Sequence, residues 1–217
     1  RVFAASRPDF KDLVAIKEIA FERVNPDPIK AALKINGEIL AYRSIAEFSH
    51  RGLPIAHGFE VDTVNERAFI VTELIQGESL EDIIAKKRPL DSSDIEDLLV
   101  IIGGALAALH RPPLHAWQHL GIDENALIHG DIKPSNIIAT GQADRPFVLI
   151  DMGSAAYSHH ARHASIGERL KWALATKEPE GSLPYADPRF ARSGKHLPVN
   201  DVYSFATTIL ELALYKS

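Results

Sequence analysis

The chain has 217 residues, with 24 Lys and Arg against 29 Asp and Glu for a formal charge of −5, 46% apolar residues and no cysteine. That leaves ample chain for a buried core in one large domain or two small ones, and excludes a disordered or low-complexity polymer. It also excludes a disulfide framework or a thiolate zinc site, and no apolar run approaches the ~18 residues of a membrane span; the mildly acidic balance argues against a sequence-independent nucleic-acid binder, and the expectation is a soluble cytoplasmic protein.

The first third reads as strands with one helix. Leu13 to Phe21 alternates, with Leu13, Ala15, Lys17, Ile19 and Phe21 on one face. Asn25-Pro26-Asp27-Pro28 breaks the pattern, and helical apolar spacing runs from Ile29 to Phe48. Gly52 and Pro54 stop that helix. Strand-like runs follow at Ile55–Val61 and Ala68–Leu74, around the turn Asn65-Glu66-Arg67. From Ser79 the pattern turns helical until Pro89, and Ser93-Asp94-Ile95-Glu96 reads as a capping box opening a long helix. Two prolines mark an irregular connection from Arg111 to Asn125. Ile137–Ala139 and Phe147–Ile150 read as a two-stranded ribbon, residues 154–197 as loop, and about Val199 to Tyr215 as a last helix.

The ribbon carries chemistry at its open end. Asn136 precedes one strand and Asp151 follows the other, so antiparallel pairing makes them neighbours. An amide carbonyl and a carboxylate are hard oxygen donors that suit Mg²⁺, whose shell water and phosphate complete. Asp131, five residues before Asn136 and confined to a loop by Pro134, is placed as a base beside that metal. Asp and Asn are also common at strand ends, so Asp151-Met152-Gly153 alone would favour an ordinary loop.

Lys17 sits on an apolar strand face, where an ammonium either pairs with an anion or reaches solvent along the sheet edge. The pairing reading has it hold nucleotide phosphates and pair with Glu38 on the following helix. Counting back from His50-Arg51-Gly52-Leu53-Pro54 points nearer Ala41 than Glu38, which keeps Glu47 and an absent pair open.

Together these residues resemble the eukaryotic-type Ser/Thr protein kinase family, its bacterial members included. Val14-Ala15-Ile16-Lys17 is similar to the strand bearing the phosphate-binding lysine, and Thr72 to Leu80 to the gatekeeper, hinge and next helix. His129 to Asn136 resembles the catalytic loop, Asp151-Met152-Gly153 stands for Asp-Phe-Gly, and Gly181 to Tyr185 with Asp187-Pro188 resembles the end of the activation segment. Asp201-Val202-Tyr203-Ser204-Phe205 is similar to the start of the central helix of the large lobe.

The resemblance implies an α+β, two-lobed fold: residues 1–75 as a small antiparallel lobe with one helix, residues 76–217 as a larger helical lobe. It implies Mg²⁺-dependent transfer of the ATP γ-phosphoryl group to Ser or Thr of a protein substrate. Asp131, Lys133, Lys17 and Glu38 would be catalytic. Val2, Ala15, Lys17, Thr72, Glu73, Ile75, Ile138 and Asp151 would contact the nucleotide, with backbone groups near Glu73 and Ile75 on adenine. Asn136 and Asp151 would hold metal.

Departures from the family pattern sharpen this reading. Gly130 replaces the arginine that reads an activation-loop phosphate, so activity is expected not to depend on phosphorylation of Ser158, Ser165, Thr176 or Ser182. Arg189 stands where the family has a glutamate, so the family's large-lobe salt bridge must be replaced or missing. His115 and His119 have helical spacing, but a plain surface loop outweighs a metal site there, and His159, His160 and His163 read as solvated. The chain reads as a fragment without its Gly-rich loop and last helices, whose exposed large-lobe surface would favour self-association.

The alternatives are a small-molecule kinase of the aminoglycoside or choline type, which also favours His-Gly-Asp, a nucleotide-binding pseudokinase, and a two-metal hydrolase with Asp131 and Asp151 as ligands. Lys133 and the segments 181–188 and 201–205 weigh against the first. Retention of Lys17, Asp131, Asn136 and Asp151 weighs against the second, and the hydrolase leaves Lys17 and the hinge unexplained.

Overall fold

The computed structural model describes residues 1–6, 13–111, 126–157, 184–189 and 196–214. Four antiparallel strands form the first layer: β1 (Val2–Ser6), β2 (Leu13–Ala20), β3 (Ala56–Asp62) and β4 (Arg67–Glu73), in the order β1-β2-β4-β3. Lys17 stands opposite Ile70, and Val14 opposite Glu73. The turn from β3 to β4 closes on Asp62, whose carboxylate accepts from Val64 N and Asn65 N at 3.0 Å. β2 is one residue shorter than the alternation suggests. Phe21 N donates to Glu66 O at 2.9 Å, which turns Phe21 into a short helix, α1 (Phe21–Val24), instead of extending the strand.

Helix α2 (Pro28–Glu47) starts at Asp27, whose side chain accepts from Ile29 N and Lys30 N. Its buried face, Ala31, Ile35, Ile39, Tyr42 and Ile45, packs toward α1 and β3. Each fully buried Ile there contributes about 1.5–3 kcal/mol. Glu38 and Ser44 lie buried on the same helix, and this polar pair on an apolar face anticipates the site.

A two-residue strand, β5 (Glu78–Ser79), leads into α3 (Leu80–Ala85), with the Ser79 hydroxyl accepting from Asp82 N. The helix stops at Ala85, ahead of Pro89, because Lys87 takes a positive φ of 52°. Helix α4 (Ser92–His110) has its cap two residues before the expected Ser93: Asp91 accepts from Asp94 N at 2.8 Å, and the Asp94 carboxylate accepts from Asp91 N at 3.0 Å. Asp outcompetes Ser here because its carboxylate also complements the helix dipole.

β6 (Leu127–Ile128) pairs with β9 (Ala156–Tyr157), and β7 (Ile137–Ala139) pairs with β8 (Phe147–Leu149) on one edge and β5 on the other. Helix α5 (Pro198–Leu214) completes the described chain. One apolar core runs from Ile35 and Ile39 on α2 through Ile101 and Leu106 on α4 to Phe205 and Leu212 on α5. No helix among the described residues is long and apolar enough to cross a membrane. Residues 112–125 with His115 and His119, and the stretch 158–183 with His159, His160, His163 and the four hydroxyl residues named above, lie outside the described residues, as does Tyr215.

Candidate active site

Lys17 lies in the middle of β2, with its ammonium between two carboxylates from distant segments. Nζ is 2.6 Å from Glu38 Oε1 and 2.6 Å from Asp151 Oδ1. Burial works against the charged lysine, but Glu38 and Asp151 together outweigh it and hold its pKa above the ordinary value. Burial likewise opposes the Asp151 carboxylate, and Lys17 with the Gly153 N–H overrides it, leaving that carboxyl below its ordinary range. Glu47, the alternative partner, is exposed at the end of α2. Tyr42 sits against the same cluster. Burial raises its phenol pKa, and its oxygen accepts from Met152 N at 3.4 Å.

Asp151 is held in a left-handed conformation, φ 67° and ψ 84°. Oδ1 accepts from Gly153 N at 3.1 Å as well as from Lys17. A Cβ on Gly153 would lie 3.0 Å from both Asp151 Oδ1 and Lys17 Nζ, so the lysine reaches its partner only past a glycine. The second Asp151 oxygen could take a cation.

The loop ahead of the ribbon brings three more groups together. Lys133 Nζ donates to Asp131 Oδ2 at 2.7 Å, and Asn136 Nδ2 donates to Asp131 O at 2.7 Å and Oδ2 at 3.2 Å. Asn136 spends its NH₂ on Asp131, and its side-chain Oδ1 is the atom that could face a metal. The backbone carbonyl of Asn136 accepts from Ile150 N at 2.8 Å, the ribbon contact that brings the Asp131 loop beside Asp151. Two oxygen donors suit a Mg²⁺ that takes the rest of its shell from phosphate and water.

The loop's shape is fixed from below. Asp201, 1% exposed at the start of α5, accepts from His129 N at 2.8 Å, Gly130 N at 2.9 Å and His110 Nε2 at 2.9 Å. Gly130 takes φ 80°, and a Cβ there would meet Ser154 O at 2.6 Å. An arginine at this position would have to displace the 152–154 turn, so the missing side chain is built into the backbone path. Arg189 turns back on Asp187, with Nη2 2.8 Å from Oδ2, and holds that carboxyl below its ordinary range.

A cleft of about 240 Å³ opens between the sheet and the ribbon. Its walls include Val2, Ala15, Lys17, Thr72, Glu73, Ile75, Ile138 and Asp151, together with Asn136 and Tyr42. These eight nucleotide candidates therefore face one space. Asp131 and Lys133 stand just beyond it, reached through Asn136, and Glu38 enters through Lys17. Two contributors were not singled out from the sequence as site residues: Tyr42 and Asp201. Asp201 had a readable signal as a lone acid opening an apolar helix.

Architecture and cleft together define a kinase-like fold with an apolar slot above a lysine–carboxylate cluster. The protein kinase domain model matches residues 1–217, and the chain belongs to that family. It is 28% identical over 173 residues to the serine/threonine-protein kinase PknL of Mycobacterium tuberculosis, covering 80% of this chain and 37% of that protein. It is 26% identical over 207 residues to cysteine-rich receptor-like protein kinase 25 of Arabidopsis thaliana, covering 94% of this chain and 27% of that one. The chain thus spans well under half the length of these relatives. Among solved structures, the Cydia pomonella granulovirus kinase PK-1 shares the fold at a TM-score of 0.66 and 14% identity, covering 97% of this chain and 63% of the viral one.

Proposed function

We propose that the chain transfers the γ-phosphoryl group of ATP to a Ser or Thr hydroxyl of a protein substrate, with Mg²⁺ as cofactor. The observation that carries this reading is the Lys17 ammonium fixed between Glu38 and Asp151 at the floor of a cleft whose far end leads to Asp131. The division we propose assigns residues 1–75 to the small lobe and 76–217 to the large one. The partner is a protein, not nucleic acid or a membrane, and the compartment the cytoplasm; exposed large-lobe residues such as Leu210 and Leu214 support self-association.

In this reading Val2, Ala15, Thr72 and Ile138 wall the adenine, and backbone groups near Glu73 and Ile75 hydrogen-bond its edge. Lys17 binds the phosphates, and Glu38 keeps its ammonium pointed at them. Asn136 and Asp151 would hold Mg²⁺, which supplies charge neutralisation on the phosphate oxygens. Asp131 accepts the proton of the attacking hydroxyl, and Lys133, hydrogen-bonded to it, stands ready to meet the transferred phosphoryl group. The Gly130 backbone supports the second element of the proposal, activity without activation-loop phosphorylation, because no side chain at that position is available to read a phosphate.

Labelled γ-phosphate offered with casein and, separately, with an aminoglycoside panel tests the substrate class. Transfer to casein by unphosphorylated protein is the expected result. Transfer to the aminoglycosides alone would replace it with the small-molecule reading, and a large gain after phosphorylation would remove the independence claim.

A further inference from the structure

The closed end of the β7–β8 ribbon is as densely bonded as its open end. Arg145, in the turn between the strands, donates from Nη1 to Glu73 Oε2 at 2.7 Å and from Nη2 to Glu73 Oε1 at 2.6 Å. The same guanidinium donates from Nη2 to Leu53 O at 2.6 Å and from Nε to Arg51 O at 2.6 Å. Glu73 in turn accepts from Ile55 N at 2.6 Å. The arginine itself is braced, since Thr140 Oγ1 donates to Arg145 O at 2.5 Å and Arg145 N to Gln142 O at 3.2 Å. Both partners of the ion pair are about four-fifths buried, with side-chain exposures of 18% and 20%.

Three segments far apart in sequence meet on this one planar fork: the loop that follows α2, the end of β4 where the hinge begins, and the ribbon. The ribbon's other end carries Asn136 and Asp151, and Ile138 between the two ends lines the cleft. We infer that Arg145 is a positioning residue for the nucleotide, a clasp that sets the distance between the base end and the phosphate end of the cleft. The inference rests on the nucleotide reading of that cleft. It goes beyond it by making the base subsite depend on a side chain that touches no nucleotide. Lysine cannot substitute, because a single ammonium cannot span both Glu73 oxygens and two carbonyls in one plane.

The test uses Arg145→Met and Arg145→Lys in the whole chain. Both are expected to raise the KM for Mg-ATP about tenfold, or about 1.4 kcal/mol of binding free energy, with kcat held within about threefold. The preference for ATP over GTP should shrink in parallel, and amides in 51–55 and 73–76 should exchange faster without nucleotide while those of α4 stay unchanged. An arginine serving stability alone would lower the melting temperature and leave KM and base preference where they were, and that result overturns the clasp. Unchanged exchange at 73–76 overturns it as well. Direct nucleotide binding by wild-type protein is measured first: its absence sinks the nucleotide reading and the positioning role together, whereas binding with unchanged KM in both variants sinks the clasp alone.

Discussion

Asp151 and Asp201 are both carboxylates at segment starts, and the fold treats them in opposite ways. Asp201 is 1% exposed, and its oxygens accept from two backbone N–H groups and the His110 ring. Asp151 has a side chain 46% exposed, spends Oδ1 on Lys17 and Gly153 N, and lines the cleft. A carboxylate with its lone pairs used fixes a loop; one with lone pairs to spare takes a ligand. Asp131 differs from both: its side chain is 16% exposed and rests on Lys133 and Asn136 beside the cleft.

This contrast can be broken by substitution. Asp131→Asn should cost about a thousandfold in phosphoryl transfer, the scale of a lost general base, with little change in melting temperature. Turnover left intact would remove Asp131 from the chemistry. Asp201→Ala should cost about 3–5 kcal/mol of unfolding free energy, because it strands the N–H groups of His129 and Gly130 and the His110 ring in the core. A denaturant midpoint unchanged in that variant would place Asp201 outside the scaffold role.

The pH dependence tests the Asp151 side of the contrast. Because the Asp151 pKa is depressed in the folded protein, its stabilisation is present above the unfolded value of 3.8 and is lost as pH falls through the folded one. Removing the cation with Lys17→Met removes that depression. The wild-type advantage in melting temperature over Lys17→Met should therefore narrow below about pH 4. A gap that widens there would mean that Lys17 does not hold Asp151 ionised. The smallest effect is local: Asp91→Ala should cost about 1 kcal/mol by uncapping α4, and Ser93→Ala much less, measured by chemical denaturation.

The ribbon was legible because two short apolar runs, Ile137–Ala139 and Phe147–Ile150, stand on either side of a turn with Gly141 and Pro146. The partner of Lys17 was legible only in part. Counting along the chain pointed to Ala41, while Glu38 is the acid among buried Ile35, Ile39 and Tyr42, a signal in helix facing rather than in spacing. Arg145 was not legible, since its partners lie 72 to 94 residues earlier and only the folded ribbon brings them within reach. The α4 cap was misplaced by two residues because Asp91, Ser93 and Asp94 all suit the end of a helix, and the choice among them depends on the backbone entering it.

Titration calorimetry of a non-hydrolysable ATP analogue, with and without Mg²⁺, against wild type and Asp151→Asn bears most directly on the cleft. Wild type should bind tightly only with Mg²⁺, and Asp151→Asn should lose about a hundredfold of that affinity, the scale of a charge-assisted ligand contact. Equal affinity in the two proteins, or affinity indifferent to Mg²⁺, would contradict a nucleotide–metal site built on Lys17, Asn136 and Asp151.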